Sequence, residues 1–196
     1  MTAVDVSLAL QRRKGPPAAL LGMAAVIASE GMLFAAFIGS YYYLRFEDPH
    51  WPPPGTPEPK WVVPTILVAI LALTSVPMQL GWHAVRGGRL AAARLFILGA
   101  LVVQAGYFAY EVHDFDTQLH ASDITHNAYT SVYYTLLGAD HAHVLVGILL
   151  DVWLLWKLAH GLTLYRANAT QAITWYWHFV NVLTIVVLAT LLSARV

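Results

Sequence analysis

The sequence predicts an all-α polytopic membrane protein, a bundle of five transmembrane helices with the amino terminus inside and the carboxyl terminus outside. Three observations lead there. First, 58% of the 196 residues are hydrophobic and only 11% are charged, against about a quarter charged in soluble domains. Second, the chain offers five apolar runs, each long enough for the roughly 20 residues that a bilayer-spanning helix needs. Third, its 11 lysines and arginines are unevenly placed. Arg12, Arg13, Lys14, Arg86, Arg89, Arg94, Lys157 and Arg166 fall on one side of the alternating spans, and Arg45, Lys60 and Arg195 on the other. The positive-inside rule makes the richer side cytoplasmic.

The spans cover about 17–44, 61–85, 90–112, 128–158 and 169–193 of one transmembrane domain, residues 1–196. Residues 1–9 lack a basic head, so no cleavable signal peptide is expected. Pro16 and Pro17 can open the first span, which carries Glu30 near its centre. Gly31, Ala35 and Gly39 form a ladder of small residues on which a neighbouring helix can lie close. Tyr41, Tyr42 and Tyr43 end it at the interface. An outer loop follows, stiffened by Pro52, Pro53 and Pro54. In the second span Pro64 suits the first turn, and Pro77 is expected to kink the far end. The short link Arg86-Gly87-Gly88-Arg89 makes spans two and three antiparallel neighbours.

The third span sets Gln104 and Tyr107 on one face. Residues 111–127, polar and free of lysine and arginine, read as a connection. In the fourth span Asp140, His143, Gly147 and Asp151 share a stripe, with Asp151 expected near the hydrated end beside Lys157. The fifth span sets Gln171, Thr174, His178 and Asn181 on one stripe, while Trp175, Tyr176 and Trp177 read as interface anchors. There is no cysteine, so disulfides, iron–sulfur clusters and thiolate metal sites are excluded. The formal net charge is zero, so no overall field favours nucleic acid.

Chemistry-bearing residues at membrane depth are costly. An ionised group at bilayer centre costs about 2.5–3.5 kcal/mol on insertion scales. Glu30, Asp140, His143, Gln171, His178 and Asn181 therefore need partners on other helices, as a buried polar network or a lipid-binding site. His141 and His143, two residues apart, point to nearly opposite sides of a helix and cannot share one metal ion. Asp140 and His143 face one way, but a third ligand such as His178 would have to come from another span. His50, His83, His113, His120, His126 and His160 lie at span ends or in loops, where solvent accounts for them. No nucleophile–base pair stands out, so no catalytic residue is assigned.

The stretch Trp175-Tyr176-Trp177-His178-Phe179-Val180-Asn181 resembles the Y-W-H-F-V-D signature of subunit III of the haem–copper respiratory oxidases. Ser29-Glu30-Gly31-Met32-Leu33-Phe34 is similar to that family's S-E-x-x-F-F. Trp51-Pro52-Pro53-Pro54-Gly55 falls at its proline-rich outer loop, and the fourth span resembles G-x-H-G-x-H-V. The chain departs from the pattern at four places. Asp140 stands at the first histidine, Asn181 at the aspartate, Gln171 at a frequent carboxylate, and Gln104-Ala105-Gly106-Tyr107-Phe108 lacks the glutamate of Q-x-x-E-Y.

The resemblance implies a five-helix, cofactor-free accessory subunit of a bacterial terminal oxidase in the cytoplasmic membrane. That complex reduces oxygen and pumps protons. Haem and copper would belong to partner subunits, namely catalytic subunit I with subunit II and other membrane subunits. Bound phospholipid is implied as well. Two alternatives stay open: the related accessory subunit of a nitric oxide reductase, and a stand-alone proton-coupled transporter using Glu30 and Asp140. The second lacks the internal repeats and paired broken helices common in transporters.

Overall fold

The structure, a computed structural model, describes residues 5, 8–9, 15–54, 56, 61–121 and 127–195, with backbone only for Ala121 and Arg195. Arg12, Arg13, Lys14, Gly55, Lys60 and His126, all used in reading the sequence, lie outside the described residues.

From residue 15 on, the described residues form six α-helices in order: α1 Ala18–Glu47, α2 Val62–Leu73, α3 Ser75–Arg86, α4 Leu90–Ala121, α5 Ala128–Ala159 and α6 Leu164–Leu192, with a 3₁₀ turn at Ser193–Arg195. They make five spans long and apolar enough to cross a membrane, because α2 and α3 are two halves of the 25-residue second span. Each boundary has a local cause. The Pro17 carbonyl accepts from the amides of Leu20 and Leu21 to start α1. Asn127 and Thr130 cap α5 reciprocally, the Asn127 side chain accepting from the Thr130 amide at 2.8 Å. The Thr163 hydroxyl accepts from the Arg166 amide and starts α6 five residues earlier than its hydropathy indicates.

The third span also runs past its expected end at 112, to Ala121. The hydrocarbon ends before the helix does: pairs four residues apart, Asp114 with Gln118 and Asp116 with His120, continue the coil among polar residues. The second span bends earlier than Pro77 itself. Proline has no N–H for the Leu73 carbonyl, and its ring crowds that carbonyl. The break falls at Thr74, whose hydroxyl donates back to Leu71 O at 2.5 Å.

The last span is the hub, since α6 packs against α1, α2, α3 and α5. Half of its most apolar window is buried, against 6% for α1. Helix α4 sits on α3 and α5, and α1 rests on α5 and α6. The ladder beside Glu30 is only partly used. Gly31 meets the Phe179 ring, whereas Ala35 and Gly39 are exposed. Met32, Leu21 and Phe46 are likewise exposed on α1, a face left for lipid or a partner.

At the end carrying Arg86 and Arg89, Arg94 donates to the Leu158 carbonyl through Nε at 3.1 Å and to Leu158 and Ala159 through Nη2. These carbonyls lie in the last turn of α5, where the helical ladder runs out, and Leu158 O accepts from the Gly161 amide as well. Arg166 caps the same corner through the His160 and Gly161 carbonyls, where Gly161 takes φ +104°. Arg94→Met keeps the stem and removes the caps. It is expected to lower stability by about 1.5 kcal/mol, read as a shifted midpoint in denaturant titration of the detergent-solubilised protein. At the opposite end Trp51 folds back from the proline-rich loop. Its indole donates to Tyr41 Oη at 3.2 Å, and its ring meets Tyr129 edge-on at 5.1 Å.

Candidate functional site

Three sets of polar contacts hold the spans together. The first is made by the break in the second span. The Trp177 indole N–H donates to Thr74 Oγ1 at 2.7 Å, and Asn181 Nδ2 donates to Ser75 Oγ at 2.6 Å. His178 Nε2 lies 3.1 Å from Gln79 Oε1. Because an amide oxygen only accepts, the imidazole donates there. Gln79 continues to His83, 3.2 Å from its Nε2. A straight helix would keep its backbone saturated. The Pro77 break instead gathers two hydroxyls and an amide opposite the α6 stripe. Tyr176 and Trp177, read as interface anchors, are inside: Trp177 is 1% exposed and Tyr176 3%, against 40% for Trp175. Gly147 makes the room, for a Cβ added there would come within 2.6 Å of Trp177 Cε3.

The second set joins the first span to the fourth. Glu30 Oε2 lies 3.0 Å from His143 Nε2. His143 Nδ1 donates to the Ala139 carbonyl at 2.8 Å, so a neutral imidazole presents only an acceptor at Nε2. The Glu30 contact then requires one proton held between the two groups, either on the carboxyl or as an imidazolium–carboxylate pair. Phe34 packs edge-on to the imidazole at 5.0 Å, and Tyr176 donates to the His143 carbonyl at 3.2 Å. The pair is not sealed, for the Glu30 side chain is 31% exposed.

The third set lies among α4, α5 and α6. Asp140 is 2% exposed, and its Oδ1 accepts from Thr184 Oγ1 at 2.9 Å. His141 turns the other way, its Nε2 lying 3.4 Å from Glu111 on α4. Glu111, read from sequence as part of a connection, is 9% exposed. It lies on α4, near the end expected for the third span, and on the face turned toward α5.

Of the sequence candidates, Glu30 and His143 meet each other, Asp140 meets Thr184, and His178 and Asn181 meet α3. Gln171 lines a cavity of about 300 Å³ with Pro17, Leu20, Trp82 and Arg86 at the basic end. Thr174 donates to Thr170 within its own helix. Asp140, His143 and His178 thus diverge to three partners, and among the described residues no group of three or more metal-type side chains converges. Sequence reasoning missed Thr74, Ser75 and Gln79. Hydroxyl residues just before an intramembrane proline were the available signal.

A family model described as "Cytochrome c oxidase subunit III" matches residues 16–192. Curated relatives agree. The "Cytochrome c oxidase subunit 3" of Synechocystis sp. is 28% identical over 174 residues, 87% of this chain and 73% of its own length. The "Probable cytochrome c oxidase subunit 3" of Nocardia farcinica is 30% identical over 173 residues, covering 86% and 84%. The "Cytochrome c oxidase subunit 3" of Bacillus subtilis is 27% identical over 166 residues, covering 83% and 79%.

Proposed function

Because this chain belongs to the cytochrome c oxidase subunit III family, we propose that it is the accessory subunit of a bacterial haem–copper terminal oxidase. It packs beside the catalytic subunit, holds phospholipid and supports the proton-uptake side of that subunit, in a complex that reduces oxygen and pumps protons. One observation carries the reading. The family-signature polar residues are engaged by neighbouring helices, Glu30 by His143, His178 by Gln79 and Asn181 by Ser75. Residues so held are suited to fixing a scaffold. Haem and copper belong to the partner subunits in this reading. Lipid and partner are assigned to the open face of α1, where Met32 is 74% exposed. The basic residues Arg86, Arg89, Arg94, Lys157 and Arg166 lie toward one end of the bundle. This supports placing that end in the cytoplasm, with the amino terminus inside.

The test is gentle isolation of the tagged chain, followed by subunit masses, metal analysis and a visible spectrum. A haem- and copper-containing complex is expected, whose chromophores stay with larger subunits when this chain is stripped away. Haem or copper on this polypeptide alone, or isolation with no oxidase core, would overturn the reading. Haem without copper would reassign the chain to a nitric oxide reductase.

A further inference from the structure

Asp151 was expected near water beside Lys157, yet it is 0% exposed inside the bundle. Neither of its carboxyl oxygens has a hydrogen-bond partner. Gln104, on the facing helix α4, is also 0% exposed, and neither its amide oxygen nor its amide nitrogen has a partner. The Gln104 amide lies near enough to the Asp151 carboxyl to act on it, though short of hydrogen-bonding geometry. The nearest basic groups along the two helices are turned elsewhere. Arg94 serves the carbonyls of Leu158 and Ala159, and Lys157 lies over the rings of Trp153 and Trp156.

The hydrogen-bonding inventory decides what these two groups can be to each other. An ionised carboxylate offers acceptors only, so it satisfies the amide N–H₂ and leaves the amide oxygen facing negative charge. A protonated carboxyl has one donor and one acceptor, and a primary amide has both as well. Turned face to face, they close a ring of two bonds, O–H to amide oxygen and N–H to carboxyl oxygen. All four orphaned atoms then gain a partner, in a medium where each unsatisfied one is costly.

We propose that Asp151 and Gln104 form a proton-binding site between the third and fourth spans, a neutral acid–amide pair that retains one proton inside the bundle. It joins α4 to α5 without placing a net charge in the membrane, and it is distinct from the Glu30–His143 pair.

Infrared spectroscopy of the whole purified complex tests this, with aspartate carboxyls labelled by ¹³C. The difference between the unsubstituted complex and Asp151→Asn is expected to lose one protonated-carboxyl C=O band, and that band shifts with the label. Asp151→Asn replaces the acid with an amide that closes the same ring, so the half-life of the complex on heating is expected to stay within about twofold. Gln104→Leu and Asp151→Leu each orphan the remaining partner and are expected to shorten it several-fold. The double Leu variant is expected to be less damaging than the two single losses combined. If no protonated-carboxyl band disappears, the carboxyl is ionised and held by water or a cation, and the pair does not exist. Additive losses in the two Leu variants would overturn it equally. Both readouts are indifferent to whether the surrounding complex is an oxidase.

Discussion

Trp177→Ala is expected to destabilise the bundle by about 3–5 kcal/mol. Lipid tails are as apolar as a core side chain, so helices in a membrane gain little from burial itself. Close packing and internal hydrogen bonds carry the association. Trp177 contributes both. It is 1% exposed, lies over Gly147, and donates from its indole to Thr74 at 2.7 Å. Alanine leaves a hole between α5 and α6 and removes the donor that reaches the break in the second span. Trp177→Phe keeps most of the ring, and Thr74 keeps its bond to Leu71, so a smaller loss of about 1–2 kcal/mol is expected. Gly147→Val attacks the same contact from the other side, by driving a branched side chain into the ring. Loss of the subunit from the complex on mild heating in detergent reads out all three. If Trp177→Ala is retained as well as the native chain, α6 is not the centre of the packing.

Glu30→Ala is expected to cost about 3 kcal/mol, the low end for removing one partner of a buried acid–base pair, because this one is partly open. It leaves His143 Nε2 without a partner at mid-membrane while Nδ1 stays bound to Ala139. Glu30→Gln behaves differently. Its amide N–H donates to the imidazole nitrogen, so the contact survives with no proton to share. Retention of the subunit and of co-purifying phospholipid is therefore expected to fall in Glu30→Ala and to be near normal in Glu30→Gln. Measuring protons pumped per electron in the Gln variant separates two roles. An unchanged ratio fits a scaffold, and a large fall with assembly intact assigns Glu30 to proton movement.

The spans were legible because hydropathy is summed over some twenty residues and needs no partner. The Glu30 and His178 problems were legible too, since a polar group in hydrocarbon announces a missing partner. The partners' identities were not. Thr74, Ser75 and Gln79 become available only through a helix break whose position depends on how Pro77 crowds the preceding turn. Asp151 misled because distance from Lys157 along the chain says nothing of which face of α5 it occupies. It lies on the face pressed against α4. Glu111 stands where the third span gives way to the polar stretch 111–127, and hydropathy alone does not show that the helix runs on through that stretch to Ala121. The divergence of His141 and His143 to opposite neighbours follows from helix period alone and was read correctly.

The order of synthesis gives the hub position of α6 a further meaning. A ribosome delivers residues 164–192 after the other four spans described here, yet these residues supply the surface on which α1, the broken second span and α5 rest. Four spans already threaded into the bilayer would wait with Thr74, Ser75 and Gln79 lacking their α6 partners. A chain stopped at residue 163 is accordingly expected to be cleared from the membrane faster than one that includes α6, as measured by pulse-chase labelling.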